Sequence, residues 1–416
     1  MVDELTDEGY VILKETPFYA EKGGQISDTG YIYNENIKAE VIDMITSPNK
    51  QNVHIVNVLE GKIKLHDKVT ARINVKRREA IAKNHSAAHL LQQSLKEALN
   101  YDVTQAGSKV SYDTLRFDFT YPDKIDDKEV VLVEELVNEK INTKVDSKTE
   151  IMKLEDAKKT GATHLFDEKY DDMVRVVTLY NSVEFCGGTH VRNVGDIKRF
   201  AIMSIESKGA NVYRIEATTD ENIEREMFKV IKPYNDEMIK LLNKAKNIVD
   251  EAKELGINLD FNVEIDNSNP LSYKDIVFNK NEVQMVRDKV KDLDKRFNEK
   301  KQEKLVSNSS DFEEIETING KSAIIKKVEN YDMNVLKTLI DNAFNKMDNG
   351  IVFIANVKGS NVNFICKSNT LDAGSLVRSA SIHSNGNGGG SSNFAQGGGT
   401  DSSNVDEILE SVKRQL

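Results

Sequence analysis

Asn84-His85-Ser86-Ala87-Ala88-His89-Leu90-Leu91 places two histidines four residues apart. On a helix, residues at that spacing sit one above the other, so both imidazoles can point at one place. Cys186-Gly187-Gly188-Thr189-His190 repeats the spacing about a hundred residues later. Together the pairs offer three nitrogens and one sulfur, a set that suits tetrahedral zinc. The chain has two cysteines and seven histidines, and four of these fall in the two pairs. The bland alternative is a buried thiol and unrelated histidines. The glycines after Cys186 weigh against it, because they let the backbone turn sharply or approach another group closely.

At 416 residues, two to four domains are expected. Apolar residues make up 39% and charged residues 30%, as in a soluble chain. No apolar run is long enough for a membrane helix, and the acidic Met1-Val2-Asp3-Glu4 is unlike a signal peptide. Two cysteines cannot build a disulfide framework, so a reducing, cytoplasmic compartment is expected. The net charge of -11 argues against a nucleic-acid partner. The local pattern argues the other way. Lys68, Arg72, Lys76, Arg77, Arg78 and Lys83 lead into the histidine pair, and Arg192, Lys198, Arg199, Lys208 and Arg214 follow the cysteine pair. Such a run is usually a solvated face, but its recurrence beside both half-sites points to a polyanionic substrate. Arg77, Arg78 and Arg192 are the candidate contacts.

The fold class expected is α+β multidomain. Residues 1–77 read as short strands separated by turns, which suggests a small antiparallel β-barrel. Its loop Thr16-Pro17-Phe18-Tyr19-Ala20-Glu21-Lys22-Gly23-Gly24-Gln25 can bring backbone close to a ligand. Residues 78–219 form an α+β unit. A helix over about 76–100 carries the histidines, with Ala88, Leu91, Leu95 and Leu99 near one stripe. The stretch 103–110 follows, then strands at 115–119 and 174–177, a helix at about 127–140, and closing strands over 197–218. Residues 220–309 read as an exposed helical spacer, interrupted at Pro233 and at 266–270, with sparse apolar positions Val283, Val290, Leu293 and Phe297. Residues 310–416 read as an α/β domain with strands near 323–325, 351–355 and 363–366 and helices near 332–346, 371–382 and 404–415. Its glycine-rich stretch 385–400 is either a flexible linker or a glycine-lined site for an anion or partner.

Several stretches resemble alanyl-tRNA synthetases. They are Thr16-Pro17-Phe18-Tyr19-Ala20-Glu21 with Gly23-Gly24-Gln25 and Asp28-Thr29-Gly30, the histidine stretch, Gln105-Ala106-Gly107-Ser108 with Leu115-Arg116-Phe117-Asp118-Phe119, Cys186-Gly187-Gly188-Thr189-His190-Val191, and the segment around Phe394-Ala395-Gln396. The resemblance covers the C-terminal half of that family, and nothing here looks like its aminoacylation core. It implies an editing domain that hydrolyses serine or glycine from alanine tRNA, with zinc held by His85, His89, Cys186 and His190. It implies catalytic roles for Gln105 and Cys186, and substrate binding by Gly23, Gly24, Gln25 and Thr189. It also implies a C-terminal domain that contacts tRNA(Ala) and can support a homodimer. There are two departures: the first strand or two of the family's barrel are missing before Tyr10, as in a fragment starting at Met1, and Ser207–Arg214 lacks a glycine before Val212. Free-standing alanyl-tRNA editing proteins share these motifs, but the wording of residues 16–21 is closer to the synthetase.

The chemistry leaves alternatives open. Zinc with three protein ligands and a water generates hydroxide near neutral pH, whereas four protein ligands close the tetrahedron. A binding module with a structural zinc is one rival. A phosphodiesterase is another, but its Asp-His-His metal motif is absent from the sequence.

Overall fold

The structure, a computed structural model, describes residues 4–163, 170–266, 269–307 and 312–416. By packing the chain groups into two compact units, residues 1–239 with 264–285, and 240–263 with 286–416. The stretch 220–309, read as one spacer, is divided between them.

In the first unit, five antiparallel strands run in the order Glu8–Val11, Asn52–Glu60, Lys38–Thr46, Gly30–Tyr33, Thr70–Ile73. A short ribbon pairs Glu4–Leu5 with Ile63–Lys64. The expected barrel is therefore corrected to an open sheet. Closure requires the two edge strands to pair. Here Glu8–Val11 and Thr70–Ile73 are four residues each and lie at opposite edges. Phe18, Ile32, Val41, Met44 and Val56 form the core of this sheet.

The histidine helix, α1, spans Val75–Leu99. Asn74 accepts a hydrogen bond from the Arg77 N–H at its start, and Asn100 closes it in the left-handed conformation. Its buried face carries Leu91, Leu95 and Leu99 together with His85 and His89. It packs against helix α2, Asp127–Asn142, which is opened by an Asp126–Glu129 capping box. A four-stranded antiparallel sheet runs Phe200–Gly209, Val212–Thr219, Leu115–Thr120, Thr104–Val110. A three-stranded one runs Lys148–Lys153, Met173–Leu179, Ser182–Phe185.

Two further expectations are corrected in the long helices Asn222–Glu254 and Tyr273–Ser307. The first continues through Pro233. A mid-helix proline costs about 3 kcal/mol; Met227, Ile231 and Met238, buried on either side of it, offset that cost. Nor are the sparse apolar residues of the second exposed. Val283, Val290, Leu293 and Phe297 are all buried, at spacings of three to seven that form one seam. Of the expected interruption at 266–270, residues 267 and 268 lie outside the described residues.

In the second unit, a six-stranded sheet runs Glu316–Ile318, Lys321–Glu329, Gly350–Lys358, Asn361–Ser368, Phe394–Gly399, Asn387–Gly390. One strand pair is parallel, Lys321–Glu329 with Gly350–Lys358, and helix Met333–Phe344 makes its crossover. The glycine-rich stretch is no linker: it forms a paired hairpin. A Cβ on Gly397 would lie 2.3 Å from Ser381 Oγ and 2.6 Å from Gly388 Cα, so helix Ala373–His383 can lie flat on the hairpin only without side chains. Among the described residues, no helix is long and apolar enough to cross a membrane.

Candidate metal centre

The second pair, Cys186 to His190, lies in the loop that leaves strand Ser182–Phe185. The fold brings it onto α1. Donor atoms of His85, His89, Cys186 and His190 all lie within 4.8 Å of one another. Cys186 Sγ is 3.5 Å from His85 Nε2 and 3.2 Å from His190 Nε2. Zinc bonds at tetrahedral angles would separate such donors by about 3.3–3.6 Å. The four residues therefore fit zinc with little rearrangement.

Each imidazole is also steered through its other nitrogen, as metal-binding histidines are. His85 Nδ1 is 2.7 Å from Gln25 Oε1. His190 Nδ1 is 3.2 Å from Ser86 Oγ, which also accepts the Val191 N–H. His89 Nδ1 is 3.2 Å from Glu184 Oε2, near enough to steer the ring but not aligned as a hydrogen bond. Burial is the main reason all three imidazoles resist protonation: it holds His89 down to about 3 and the other two well below the usual histidine range. The charge of nearby Arg175 adds to this. Neutral imidazoles keep the lone pairs that a metal needs. Burial also pushes Glu184 up to about 7, partly offset by the Ser182 hydroxyl that donates to it.

Backbone geometry completes the site. Arg175, on strand Met173–Leu179, donates from Nη1 to the carbonyls of Cys186 at 2.7 Å and Gly188 at 2.9 Å. Gly24 has φ +82°, and a Cβ there would meet Ser108 O at 2.4 Å. That approach lets Gly24 O accept the Val110 N–H and carries Gln25 to the centre. Gln25 is fully buried and bonded to His85 and Thr189. Gly23 shares the loop, and a Cβ there would meet nothing within 4 Å.

The other candidates stand apart from this cluster. Gln105 is half-buried beside a β-bulge, and no hydrogen bond joins its side chain to the four donors. Arg78 is engaged internally, donating to both Asp28 oxygens and to Pro17 O. Arg77 donates to Ser27 O, while Arg192 is exposed. Sequence reasoning assigned no role to Ser86, Glu184 or Arg175. Ser86 lies inside the histidine motif itself, but the other two carry no local signal.

Residues 2–77 match the family model described as tRNA synthetases class II (A), residues 174–216 the threonyl and alanyl tRNA synthetase second additional domain, and residues 320–416 the DHHA1 domain. An alanine–tRNA ligase of Listeria monocytogenes is 38% identical over 99% of this chain and 44% of the relative. That of Alkaliphilus oremlandii is 34% identical over 98% of this chain and 44% of the relative. A crystal structure of the C-Ala domain of Aquifex aeolicus alanyl-tRNA synthetase is 25% identical, covering 25% of this chain and 97% of that one at a TM-score of 0.24. This chain spans somewhat less than half the length of the curated relatives it matches. With similarity along nearly all of its own length and the two synthetase models matched at 2–77 and 174–216, the chain belongs to the alanyl-tRNA synthetase family and corresponds to its C-terminal half.

Proposed function

We propose that this chain is a zinc-dependent deacylase that hydrolyses the aminoacyl ester of tRNA(Ala) mischarged with serine or glycine. The observation that carries the reading is the donor cluster: three imidazoles, two of them buried and one half-buried, and one thiol, each imidazole steered through its second nitrogen. His85, His89, Cys186 and His190 would hold a zinc ion, which would supply positive charge for the ester carbonyl or the terminal adenosine. The chain's own residues do the rest. Gly23 leaves open space where a side chain would stand, Gly24 lets the loop close on Ser108, and the Thr189 hydroxyl, held by Gln25, is one of the polar groups beside the donors. Such groups discriminate a serine hydroxyl far better than size exclusion does. Gln105 belongs to the same pocket by family resemblance. Exposed Arg192, with Arg77, would contact tRNA phosphates.

Residues 310–416 are read as a second tRNA contact, raising affinity through effective concentration, with homodimerisation as their other role. Deleting them should weaken tRNA binding and leave the chemical step nearly unchanged. The setting is taken to be cytoplasmic, in keeping with two cysteines outside any disulfide. The test is deacylation of seryl-, glycyl- and alanyl-tRNA(Ala) by the purified chain. The first two should be hydrolysed and the third spared. Tight tRNA binding without hydrolysis would make it a binding module with a structural zinc.

A further inference from the structure

Gln25 comes from the loop between strands Glu8–Val11 and Gly30–Tyr33, yet its amide touches both half-sites. The Thr189 backbone N–H lies 2.8 Å from Gln25 Oε1. A backbone N–H can only donate, so that atom is the amide oxygen and the orientation of the amide is set. The same oxygen lies 2.7 Å from His85 Nδ1. Nδ1 must therefore carry a proton, which leaves the lone pair of His85 on Nε2, the atom facing Cys186 Sγ. On its other side, Gln25 Nε2 donates to Thr189 Oγ1 at 3.0 Å. The Thr189 hydroxyl accepts there and keeps its own proton for another acceptor. Gln25 is 0% exposed, so no water competes for these bonds.

We propose that Gln25 is a positioning residue that fixes the proton on each half-site, selecting the metal-binding tautomer of His85 and leaving the Thr189 hydroxyl as a donor. This rests on the zinc reading of the cluster but not on hydrolysis. It makes the loop at Gly24 part of the metal centre: without that close approach, Gln25 would not reach His85.

The experiment compares zinc-loaded wild type, Gln25→Ala and Gln25→Glu by competition with a chromophoric chelator, with circular dichroism to confirm the fold. Gln25→Ala removes the acceptor, leaves the His85 tautomer unselected and should weaken zinc binding about 10–100-fold. Gln25→Glu keeps both acceptor bonds and should hold zinc within about threefold of wild type, a rescue that loss of packing alone would not give. Nitrogen-15 spectra of the zinc-loaded protein should show His85 protonated on Nδ1 in wild type and Gln25→Glu. Wild-type zinc affinity in Gln25→Ala, or a Gln25→Glu protein as weak as Gln25→Ala, overturns the proposal. If Gln25→Ala fails to fold, the Gln25→Glu comparison and the spectra still decide. Seryl-tRNA(Ala) deacylation on the same wild-type preparation separates the claims: if none occurs, the hydrolytic reading fails while the zinc comparison still judges Gln25.

Discussion

Gly188 lies so close to His85 that a Cβ placed on it would sit 2.0 Å from Cε1 of the imidazole and 2.3 Å from Nδ1. Gln25 Oε1 would be 2.9 Å away. The backbone of the second half-site is thus pressed onto the first. Gly188→Ala should move the ring off its bond to Gln25. Overpacking of this kind costs about 1–3 kcal/mol. Zinc content after dialysis and the melting temperature should both fall. Wild-type zinc content would mean that the ring has room to shift.

Arg175 should control how long the metal stays. Its guanidinium bridges the carbonyls on either side of Gly187. Removing it in Arg175→Met frees the loop that carries Cys186, and zinc transfer to a chelator should quicken about tenfold. Arg175→Lys, whose ammonium can donate to both carbonyls but lacks the rigid plane of a guanidinium, should fall between. Equal transfer rates in all three proteins would reduce Arg175 to a packing role.

Arg78 and Arg192 should separate stability from tRNA binding. Asp28 is almost fully buried beneath Arg78. Arg78→Ala should destabilise by about 2–3 kcal/mol, less than for a fully buried pair because Arg78 is partly exposed. Arg192→Ala should leave stability unchanged, weaken tRNA binding and flatten its salt dependence by about one charge. Denaturant titration and binding at two salt concentrations measure both.

Glu134 should make stability fall as pH rises. Burial pushes its carboxyl up to about 7 from 4.5, partly offset by N–H groups of Ile202 and Tyr273 that donate to it. The folded state then holds a proton that the unfolded state loses above pH 4.5. Its stabilising effect is complete below about 4.5, declines through pH 7 and is lost above, a total of about 3 kcal/mol from the shift. Glu134→Gln should abolish this contribution. The wild-type minus variant difference in unfolding free energy should therefore drop between pH 4.5 and 8, and a flat difference would contradict the assignment.

What the sequence made legible was periodic or local. The four-residue spacing of His85 and His89 survives in α1 because helical geometry converts spacing directly into direction. Cys186 and His190 were readable by the same spacing, although they lie in a loop. The residues that steer them were not legible in this way. Gln25 and Glu184 come from other elements, and chain reversal over 60 to about 100 residues places them against the rings. Closure of the first sheet was misjudged because strand number says nothing about whether edges meet. Pro233 and the glycine hairpin were misread for a shared reason: local propensity yielded to packing, around Ile231 in one case and against Ser381 in the other.

The central claim is that the four-donor cluster serves hydrolysis of mischarged tRNA(Ala). Single-turnover deacylation of seryl-tRNA(Ala) by wild type and Cys186→Ala, with zinc quantified in each, tests it most directly. Cys186 contributes the sole sulfur among the donors, so its loss should remove most of the bound zinc and most of the activity together. Zinc-loaded wild type should hydrolyse the ester rapidly, and the variant should do so at a near-spontaneous rate. Wild type that hydrolyses no faster than the spontaneous rate, or a Cys186→Ala protein that is fully active without zinc, would contradict it.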